Sequence, residues 1–273
     1  SKTWKKREAV LKATATVAQA RLVIIPQSAG RYALDMISLF PQKTFKGRKN
    51  GLRADLAQAI ADIRPRFVRF PGGCLAHGDG VDNIYHWKET IGPLEARKPA
   101  ANIWRYHQTR GLGYFEYFQF CEDIGAEGMF VCNVGLGCQG RAGDACPEEE
   151  VDFFINDALD AIDYALGDGT TAWSRKRVEN GHPEPFPLKY VEIGNENWGP
   201  VYEKRHDKFY KAIKAKYPQL KLISTLGLGG QHRHEKVDMI DPHWYVSPEF
   251  FFASDKLFDQ QERGDYEIYI GEY

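Results

Sequence analysis

The sequence predicts an α/β protein built on a parallel sheet, with a barrel that is incomplete in this chain. β-prone runs alternate with helical patterns from about residue 51 onward, which is typical of βαβ units. About six strands can be counted from Phe67 onward, fewer than the eight that close a barrel. Two of the runs lead through a glycine to a glutamate, at Glu196 and Glu272, and strand C-termini are where α/β barrels place catalytic residues.

Apolar residues at helical spacing, and the prolines or glycines that end a run, define the elements in the first half of this region. Pro65 ends the first helix and Gly125 the second, while Pro147 and the acidic residues after it are typical of a helix start. The predicted elements are a helix over 51–63, a strand over 67–70, a helix over 114–124, a strand over 128–134 and a helix over 147–166.

The second half begins with a polar stretch rich in glycine and proline over 167–187, which predicts a long surface loop. The elements predicted after it are a strand at Tyr190, a helix over 206–217, strands over 220–225 and 237–245, a helix over 248–261 and a last strand at Glu267. The strands are too few for a closed barrel, and the chain stops one residue after Glu272. We therefore expect a fragment that lacks a first and a last barrel strand.

Residues 1–40 do not follow the alternation of strands and helices. Three β-prone runs, over 14–17, 21–25 and 32–40, have no helical pattern between them. We interpret 1–40 as a β-strand segment that ends a β-sandwich of the carbohydrate-binding kind.

The composition indicates a globular protein and excludes some partners. The chain has 273 residues, of which 43% are hydrophobic and 27% charged, with a formal net charge of -1. This balance predicts no nucleic-acid binding, and no apolar run approaches the roughly 20 residues that span a bilayer. The basic start of the chain is not followed by an apolar signal region, so the compartment stays open.

The cysteine count is odd, so at least one of the five cysteines is unpaired. Cys121 and Cys132 fall at predicted core positions. Cys138 and Cys146 flank a glycine-rich loop and could form a disulfide, although free thiols are the favoured interpretation. The spacing of the cysteines does not match a zinc site.

Glu196 and Glu272 together favour a two-carboxylate hydrolase. A glycosidase needs one carboxyl group as acid and another as nucleophile or base. A single glutamate at a strand end is more often a solvated loop residue, so neither is informative alone. Asn195 strengthens the case for Glu196, because an amide beside a general acid can hold a sugar hydroxyl.

Five ordered segments, spread over roughly 34–273, resemble glycoside hydrolase family 51, the α-L-arabinofuranosidases. They are RFPGGC at 69–74, HWKETIGP at 86–93, GLGYFEYF at 111–118, IGNENWG at 193–199 and YIGEY at 269–273. The resemblance implies a (β/α)8 TIM barrel whose acid/base and nucleophile follow the fourth and seventh strands, which makes the strand at Phe67 the second. It also implies a sandwich inserted after the first strand, and so a catalytic barrel over 41–273, truncated after its seventh strand.

The resemblance implies that Glu196 is the acid/base and Glu272 the nucleophile of a retaining double displacement. The implied reaction removes terminal α-L-arabinofuranosyl residues from arabinose-containing plant polysaccharides and oligosaccharides, without a metal or other cofactor. Such a mechanism needs a raised pKa at Glu196 and a low one at Glu272. Arg69 is a candidate for the positive charge that would keep the pKa of Glu272 low, with a structural salt bridge as the alternative function of this residue.

The resemblance also implies a set of sugar-binding residues. They are Asn195 near the 2-hydroxyl, Gly73 and Cys74 in the Pro-Gly-Gly-Cys loop, His243 and Tyr245 near the nucleophile, and Trp198, which either floors a subsite or caps its strand. Many relatives carry Asp-Glu-His where this chain has Asp241-Pro242-His243, and Val-Glu-Gly where it has Ala76-His77-Gly78. A further glutamate, after the family's first strand, has no counterpart here.

Several alternatives remain open at this level. The carboxylate pair does not select the sugar, so another clan A glycosidase, a β-xylosidase or endo-glucanase, would show the same pair. A non-catalytic sugar-binding barrel is a different class. His232 and His234, after the glycine-rich run that starts at Gly227, could bind a metal, although a plain loop is favoured. The expected partner is an arabinose-containing oligosaccharide or polysaccharide, with homo-oligomerisation left open.

Overall fold

The computed structural model describes residues 3–226, 236–260 and 263–273. The chain divides into two compact units, Ser1–Leu39 and Phe40–Tyr273. Within 3–43 no residue lies in a helix or strand, and all the side chains are exposed. The strands predicted over 14–17, 21–25 and 32–40 are therefore wrong for this structure, because a strand forms only where a neighbour pairs with its backbone. The assignment of 1–40 to a sandwich domain stays a prediction.

The second unit is built on a six-stranded parallel sheet, and a two-stranded antiparallel hairpin lies in the loop after its first strand. In chain order the strands are β1 (Phe67–Phe70), the hairpin strands β2 (Ala100–Ala101) and β3 (His107–Gln108), β4 (Glu127–Cys132), β5 (Leu188–Ile193), β6 (Lys221–Ser224), β7 (Met239–Ile240) and β8 (Glu267–Ile268). The sheet order is β1-β4-β5-β6-β7-β8, so each strand pairs with the next sheet strand along the chain. This is the connectivity of a barrel wall, and the predicted α/β class is confirmed as a partial TIM barrel.

An apolar layer lines the inner side of this wall. It takes one side chain from each strand or the residue just after it: Phe67, Met129, Tyr190, Ile223, Met239 and Tyr269. The rings of Phe67 and Tyr269 meet with their centroids 5.4 Å apart, although they belong to the first and last segments of the sheet. The wall is therefore curved, with its two edges drawn toward each other.

Helices cover the outer side of the wall. They are α1 (Ala54–Ile63), α2 (Tyr114–Ile124), α3 (Val151–Leu166), α4 (Ala172–Glu179), α5 (Pro200–Lys216) and α6 (Pro248–Ala253). The main core lies between helices and sheet, where Phe118 of α2 meets Phe70 of β1 edge to face. Among the described residues, no helix combines the length and apolar character that crossing a bilayer requires.

Local chemistry explains the helix ends that the sequence predicted and those that it did not. At the start of α2, the Glu116 carboxylate accepts the Gly113 N–H at 2.9 Å, and Gly125 ends the helix with a φ of +69°. Helix α5 begins at Pro200, six residues before the predicted start at 206. Polar residues in its first turns obscure the apolar periodicity there.

The predicted surface loop over 167–187 is wrong in its middle, where α4 forms. Thr171 caps the helix, since its Oγ1 accepts the Ser174 N–H at 3.3 Å while the Thr171 N–H donates to Ser174 Oγ at 3.2 Å. The helix buries Arg177 completely. All five guanidinium N–H groups donate to backbone carbonyl oxygens, those of Tyr164, Ala165, Gly167, His182 and Pro183.

Arg177→Met is expected to lower the free energy of unfolding by about 3–5 kcal/mol, because it leaves several buried carbonyl groups without a donor. Urea unfolding of the two proteins measures the difference. The matched control is Arg175→Met on the same helix, where an exposed side chain donates to the Thr170 carbonyl. We expect a change within about 0.5 kcal/mol for that control. Equal losses in the two variants would contradict a special role for Arg177.

Candidate active site

The inner layer changes from apolar to charged at the C-terminal end of the sheet. Side chains two residues apart on a strand point to the same face. Arg69 therefore follows Phe67, Glu192 follows Tyr190, and Asp241 follows Met239. Glu192 and Asp241 are fully buried, so these charges need partners inside the protein.

Arg69 is the cation at the centre of this charged layer. Its Nε and Nη2 donate to the two carboxylate oxygens of Glu192, at 2.6 and 3.0 Å. Its Nη1 donates to Glu272 Oε1 at 2.9 Å, and Nη2 also donates to Asn195 Oδ1 at 2.5 Å. Burial opposes the charge, but Glu192 and Glu272 outweigh it and raise the pKa of Arg69. Arg69 is therefore a fixed positive charge that joins three strand ends.

Glu272 is held at both carboxylate oxygens. Arg69 donates to Oε1, and the Tyr245 hydroxyl donates to Oε2, a bond that raises the pKa of Tyr245 to about 12. The preceding Gly271 N–H donates to Asp241 Oδ1 at 2.6 Å. A Cβ on Gly271 would lie 2.3 Å from Asp241 Oδ2, so only glycine allows this approach. The backbone before Glu272 is thus fixed by the charged layer itself.

Glu196 follows β5 in an unusual backbone conformation. Its φ is +48°, in the left-handed region that non-glycine residues seldom occupy. Neighbouring bonds hold the turn: the Asn197 N–H donates to Thr225 Oγ1 at 3.1 Å, and the Asn195 N–H donates to Asn197 Oδ1 at 3.2 Å. Strain of this kind, about 1–3 kcal/mol, is typical of functional sites.

His243 lies between the carboxylates. Its Nε2 is 3.1 Å from Asp241 Oδ2, and its Nδ1 is 3.0 Å from Glu196 Oε1 and 3.7 Å from Glu272 Oε1. Burial lowers the pKa of the ring, but the bonds to Asp241 and Glu196 outweigh it and raise that pKa to about 10. Both ring nitrogens of the charged imidazolium therefore donate.

The charge on His243 overturns one expectation. The hydrogen bond from His243 lowers the pKa of Glu196, whereas the sequence had led us to expect a raised value. The cause is the buried cation at hydrogen-bond distance, which favours the ionised carboxylate more than partial burial opposes it. In this structure Glu196 is therefore an acceptor paired with a protonated base.

The two strand-end glutamates are close together. One atom each from Glu196, His243 and Glu272 lies within 4.8 Å of the others. Retaining glycosidases hold their carboxyl groups about 5–5.5 Å apart, and inverting enzymes about 6.5–9.5 Å. An upper limit of 4.8 Å on the approach of one oxygen of Glu196 to one oxygen of Glu272 is compatible with the retaining arrangement. Glu192, Asp241 and His243 form a second group with metal-ligand spacing, and Arg69 and His243 already compensate the carboxylates of both groups.

A cavity of about 480 Å³ borders Glu196 and His243. Trp198 lines it with 55% of its surface exposed. The Gln139 carboxamide fixes the Trp198 backbone, since Oε1 accepts its N–H at 2.9 Å and Nε2 donates to its carbonyl at 3.1 Å. Trp244 also lines the cavity and packs on the ring of Phe258 at 5.6 Å.

The loop after β1 brings Gly73 and Cys74 to the two glutamates. A Cβ on Gly73 would lie 3.6 Å from Glu272 Oε1, and Cys74 Sγ lies 3.5 Å from Glu196 Oε2. The nine predicted site residues thus lie around one site: Arg69, Gly73, Cys74, Asn195, Glu196, Trp198, His243, Tyr245 and Glu272. His232 and His234, considered as metal ligands, fall outside the described residues.

Sequence reasoning missed two buried residues of the site. Glu192 could have been identified from the sequence, because a charged residue at an inward position of a central parallel strand needs a partner. His77 had no such signal. Its Nε2 accepts the Asn195 N–H at 2.8 Å, so its Nδ1 carries the proton and donates to the Leu136 carbonyl at 2.6 Å.

The charge on His243 makes stability depend on pH. Its pKa of about 10 lies above the ordinary 6.5, so the native state binds this proton more tightly than the unfolded chain. The stabilisation is complete below about pH 6.5 and is lost as the pH rises through about 10. We expect the destabilisation caused by His243→Gln, measured by urea unfolding, to be largest at about pH 6 and to shrink toward about pH 10.

His77 supplies the contrast for this measurement. Burial lowers its pKa to about 4, so the neutral ring is favoured in the native state. The stabilisation is then present above about pH 6.5 and is lost as the pH falls toward about 4. The effect of His77→Gln should therefore shrink in the acid range. The same pH slope for the two variants would contradict the assigned charges.

Comparisons with known proteins agree with this geometry. The family model described as "Alpha-L-arabinofuranosidase 1 domain" matches residues 59–263. The chain is 40% identical to an extracellular exo-alpha-L-arabinofuranosidase of Streptomyces chartreusis, over 99% of this chain and 35% of that protein. It is 39% identical to alpha-L-arabinofuranosidase 1 of Arabidopsis thaliana, over 99% of this chain and 39% of that protein. The chain thus spans less than half the length of these curated relatives.

Solved structures that resemble this chain are also α-L-arabinofuranosidases. An arabinose-bound MgGH51 α-L-arabinofuranosidase matches with a TM-score of 0.80 and 35% identity, over 84% of this chain and 37% of that one. The arabinose complex of the Thermotoga maritima α-L-arabinofuranosidase matches with a TM-score of 0.61 and 26% identity, over 76% of this chain and 42% of that one.

Proposed function

Because this chain belongs to glycoside hydrolase family 51, the α-L-arabinofuranosidases, we propose that the protein removes terminal α-L-arabinofuranosyl residues by a retaining double displacement. The observation that supports this most directly is the pair Glu196 and Glu272, which approach within 4.8 Å at the ends of two strands. Their surroundings differ, since Arg69 and Tyr245 hold Glu272 while His243 and Cys74 contact Glu196. Different surroundings are what give two carboxyl groups separate roles.

Glu272 is the nucleophile in this proposal. The Arg69 guanidinium donates to one of the Glu272 carboxylate oxygens and the Tyr245 hydroxyl to the other, which fixes the direction of both oxygens. An oxygen of Glu272 attacks the anomeric carbon as the glycosidic C–O bond breaks, which gives an arabinosyl ester. Formation of the ester removes the negative charge from Glu272. Arg69 still donates to Glu192 and Asn195 at that stage, so its own charge keeps partners throughout the reaction.

Glu196 is the acid/base, and His243 supplies and takes back its proton. The proton on His243 Nδ1 lies on the 3.0 Å bond to Glu196 Oε1, so the two groups share one dissociable proton. A bound sugar covers Glu196 and excludes water, which raises its pKa beside the negative Glu272. The leaving oxygen then takes a proton from Glu196. In the second half-reaction Glu196 deprotonates the water that cleaves the ester.

The substrate that fits this site is an arabinose-containing plant oligosaccharide or polysaccharide. Asn195 Oδ1 accepts from Arg69, so its Nδ2 donors face the Cys74 side of the site, where a sugar hydroxyl can accept. Gly73 lets the backbone approach the sugar, and the half-exposed ring of Trp198 lies beside the cavity for the leaving group. The names of the relatives and the arabinose-bound structures support this choice of sugar.

A panel of nitrophenyl glycosides tests the proposal with the full-length protein. We expect release of nitrophenol from the α-L-arabinofuranoside and little from the β-D-xyloside or β-D-glucoside. Preference for either of those sugars would keep the carboxylate mechanism and replace the arabinofuranosidase by a β-xylosidase or glucanase. Binding of arabino-oligosaccharides without turnover of any glycoside would instead indicate a non-catalytic sugar-binding barrel.

A further inference from the structure

Two thiols meet beside Glu196. Cys138 Sγ lies 3.3 Å from Cys74 Sγ, which in turn lies 3.5 Å from Glu196 Oε2. Both cysteines are free; Cys74 is partly exposed and Cys138 is buried. A disulfide bond has sulfurs about 2.05 Å apart. The two sulfurs are therefore about 1.3 Å farther apart than in a disulfide bond.

The approach of the two thiols is fixed by the loops that present them. Cys74 lies in the turn after β1 and Cys138 in the loop after β4, and these strands are neighbours in the sheet. Bonds that involve neither cysteine tie the loops together: His77 Nδ1 donates to the Leu136 carbonyl at 2.6 Å, Asn133 Nδ2 to the Ala76 carbonyl at 3.0 Å, and the Ala142 N–H to the Asp79 carbonyl at 3.2 Å. The pair is therefore held together before any oxidation.

We propose that Cys74 and Cys138 are a modification site for small-molecule disulfides such as oxidised glutathione, which convert the pair to an internal disulfide. The accessible Cys74 loses its proton to solvent, attacks one sulfur of the reagent and releases one glutathione thiolate, which solvent protonates. The Cys138 thiol then loses its proton and attacks Cys74 Sγ, releasing the second glutathione. Two protein thiols are oxidised to one disulfide, and the reagent disulfide is reduced to two thiols.

The disulfide changes the surroundings of the acid/base. It removes the thiol hydrogen that Cys74 directs at Glu196 and draws Sγ toward Cys138. It also shifts the sulfur in the loop that faces the sugar. Loss of glycosidase turnover on oxidation therefore rests on the proposed function, whereas disulfide formation does not. Burial raises the pKa of Cys74, which keeps the thiolate fraction small and the exchange slow.

Mass spectrometry of the full-length protein after incubation with oxidised glutathione tests the proposal. We expect the protein to lose two hydrogen atoms, peptide mapping to join Cys74 to Cys138, and dithiothreitol to reverse the change. Turnover of the nitrophenyl arabinofuranoside, measured on the same samples, should fall with the oxidised fraction. If oxidation proceeds but no sample has activity, the proposed function fails and the thiol pair stands.

Three variants separate the steps. Cys138→Ser should stop at a mixed disulfide on Cys74, seen as the mass of one added glutathionyl group, because the resolving thiol is gone. Cys74→Ser should gain no bridge or adduct at Cys138, which is buried. Cys146→Ser, which alters another buried thiol of the same loop, should form the Cys74–Cys138 bridge as the native protein does. A bridge to any other cysteine, or unchanged thiols in the native protein, would overturn the proposal.

Discussion

Glu272→Ala is expected to lower kcat/KM for an α-L-arabinofuranoside by several orders of magnitude. The alanine removes the only proposed nucleophile and leaves Arg69 with one carboxylate fewer. Arg69 keeps its two bonds to Glu192 and its bond to Asn195, so the charged layer should still fold. Steady-state kinetics with the nitrophenyl glycoside measure the loss. Circular dichroism shows whether the fold is kept.

The anomeric configuration of the product formed with added azide makes this prediction specific. Azide can enter the space left by Glu272→Ala and attack the anomeric carbon directly, which inverts its configuration. We expect added azide to restore turnover and to yield an arabinosyl azide of inverted configuration, identified by NMR. Glu267→Ala is the matched control, since this exposed carboxylate of β8 lies away from the site and pairs with Lys221 of β6. Retention of turnover in Glu272→Ala would contradict the nucleophile assignment.

The expected loss in Glu196→Ala depends on the leaving group. General acid catalysis contributes about 10²–10⁴-fold, and it matters most when the departing alcohol is weakly acidic. Turnover of an arabino-oligosaccharide should therefore fall by about that factor, while an activated nitrophenyl arabinofuranoside should still form the arabinosyl ester. Slow hydrolysis of the ester then appears as a burst of nitrophenol followed by a low steady rate.

Azide distinguishes this variant from the previous one. In Glu196→Ala it should attack the ester on Glu272, so the arabinosyl azide keeps the configuration of the substrate. An exposed carboxylate in the turn before α3 gives the control, Glu149→Ala, for which we expect native kinetics. Equal losses for activated and unactivated leaving groups would show that Glu196 supports the fold or the binding of sugar rather than proton transfer.

The limits of β1 and the positions of Glu196 and Glu272 after β-prone runs could be predicted because their causes are local. A β-prone run followed by glycine and glutamate needs no distant information to mark Glu196 and Glu272. The limits of α2 were equally accessible, since Gly113 and Gly125 bound it in the sequence. The strand predicted over 237–245 is wrong at both ends, since β7 covers only Met239–Ile240.

What could not be predicted depends on partners far along the chain. The lowered pKa of Glu196 comes from His243, which Asp241 in turn keeps charged, and only the curved sheet brings these residues to β5. Helix α4 was not predicted because its buried residue Arg177 is paired with backbone carbonyl groups. Such partners cannot be recognised from the pattern of side chains in the sequence. Strands predicted before residue 41 needed pairing partners that periodicity does not report.

We expect the contacts of Arg69 to be among the last in this unit to form during folding. Its two ion-pair partners are separated from it by 123 residues at Glu192 and 203 residues at Glu272. Contacts between residues so far apart in sequence have a large entropic cost of loop closure. They are therefore expected to form after local helices and the pairing of neighbouring strands. In a refolding experiment, we expect recovery of the proposed arabinofuranosidase activity to follow recovery of the helical signal in circular dichroism, because the activity requires the first and last strands of the sheet to be in place.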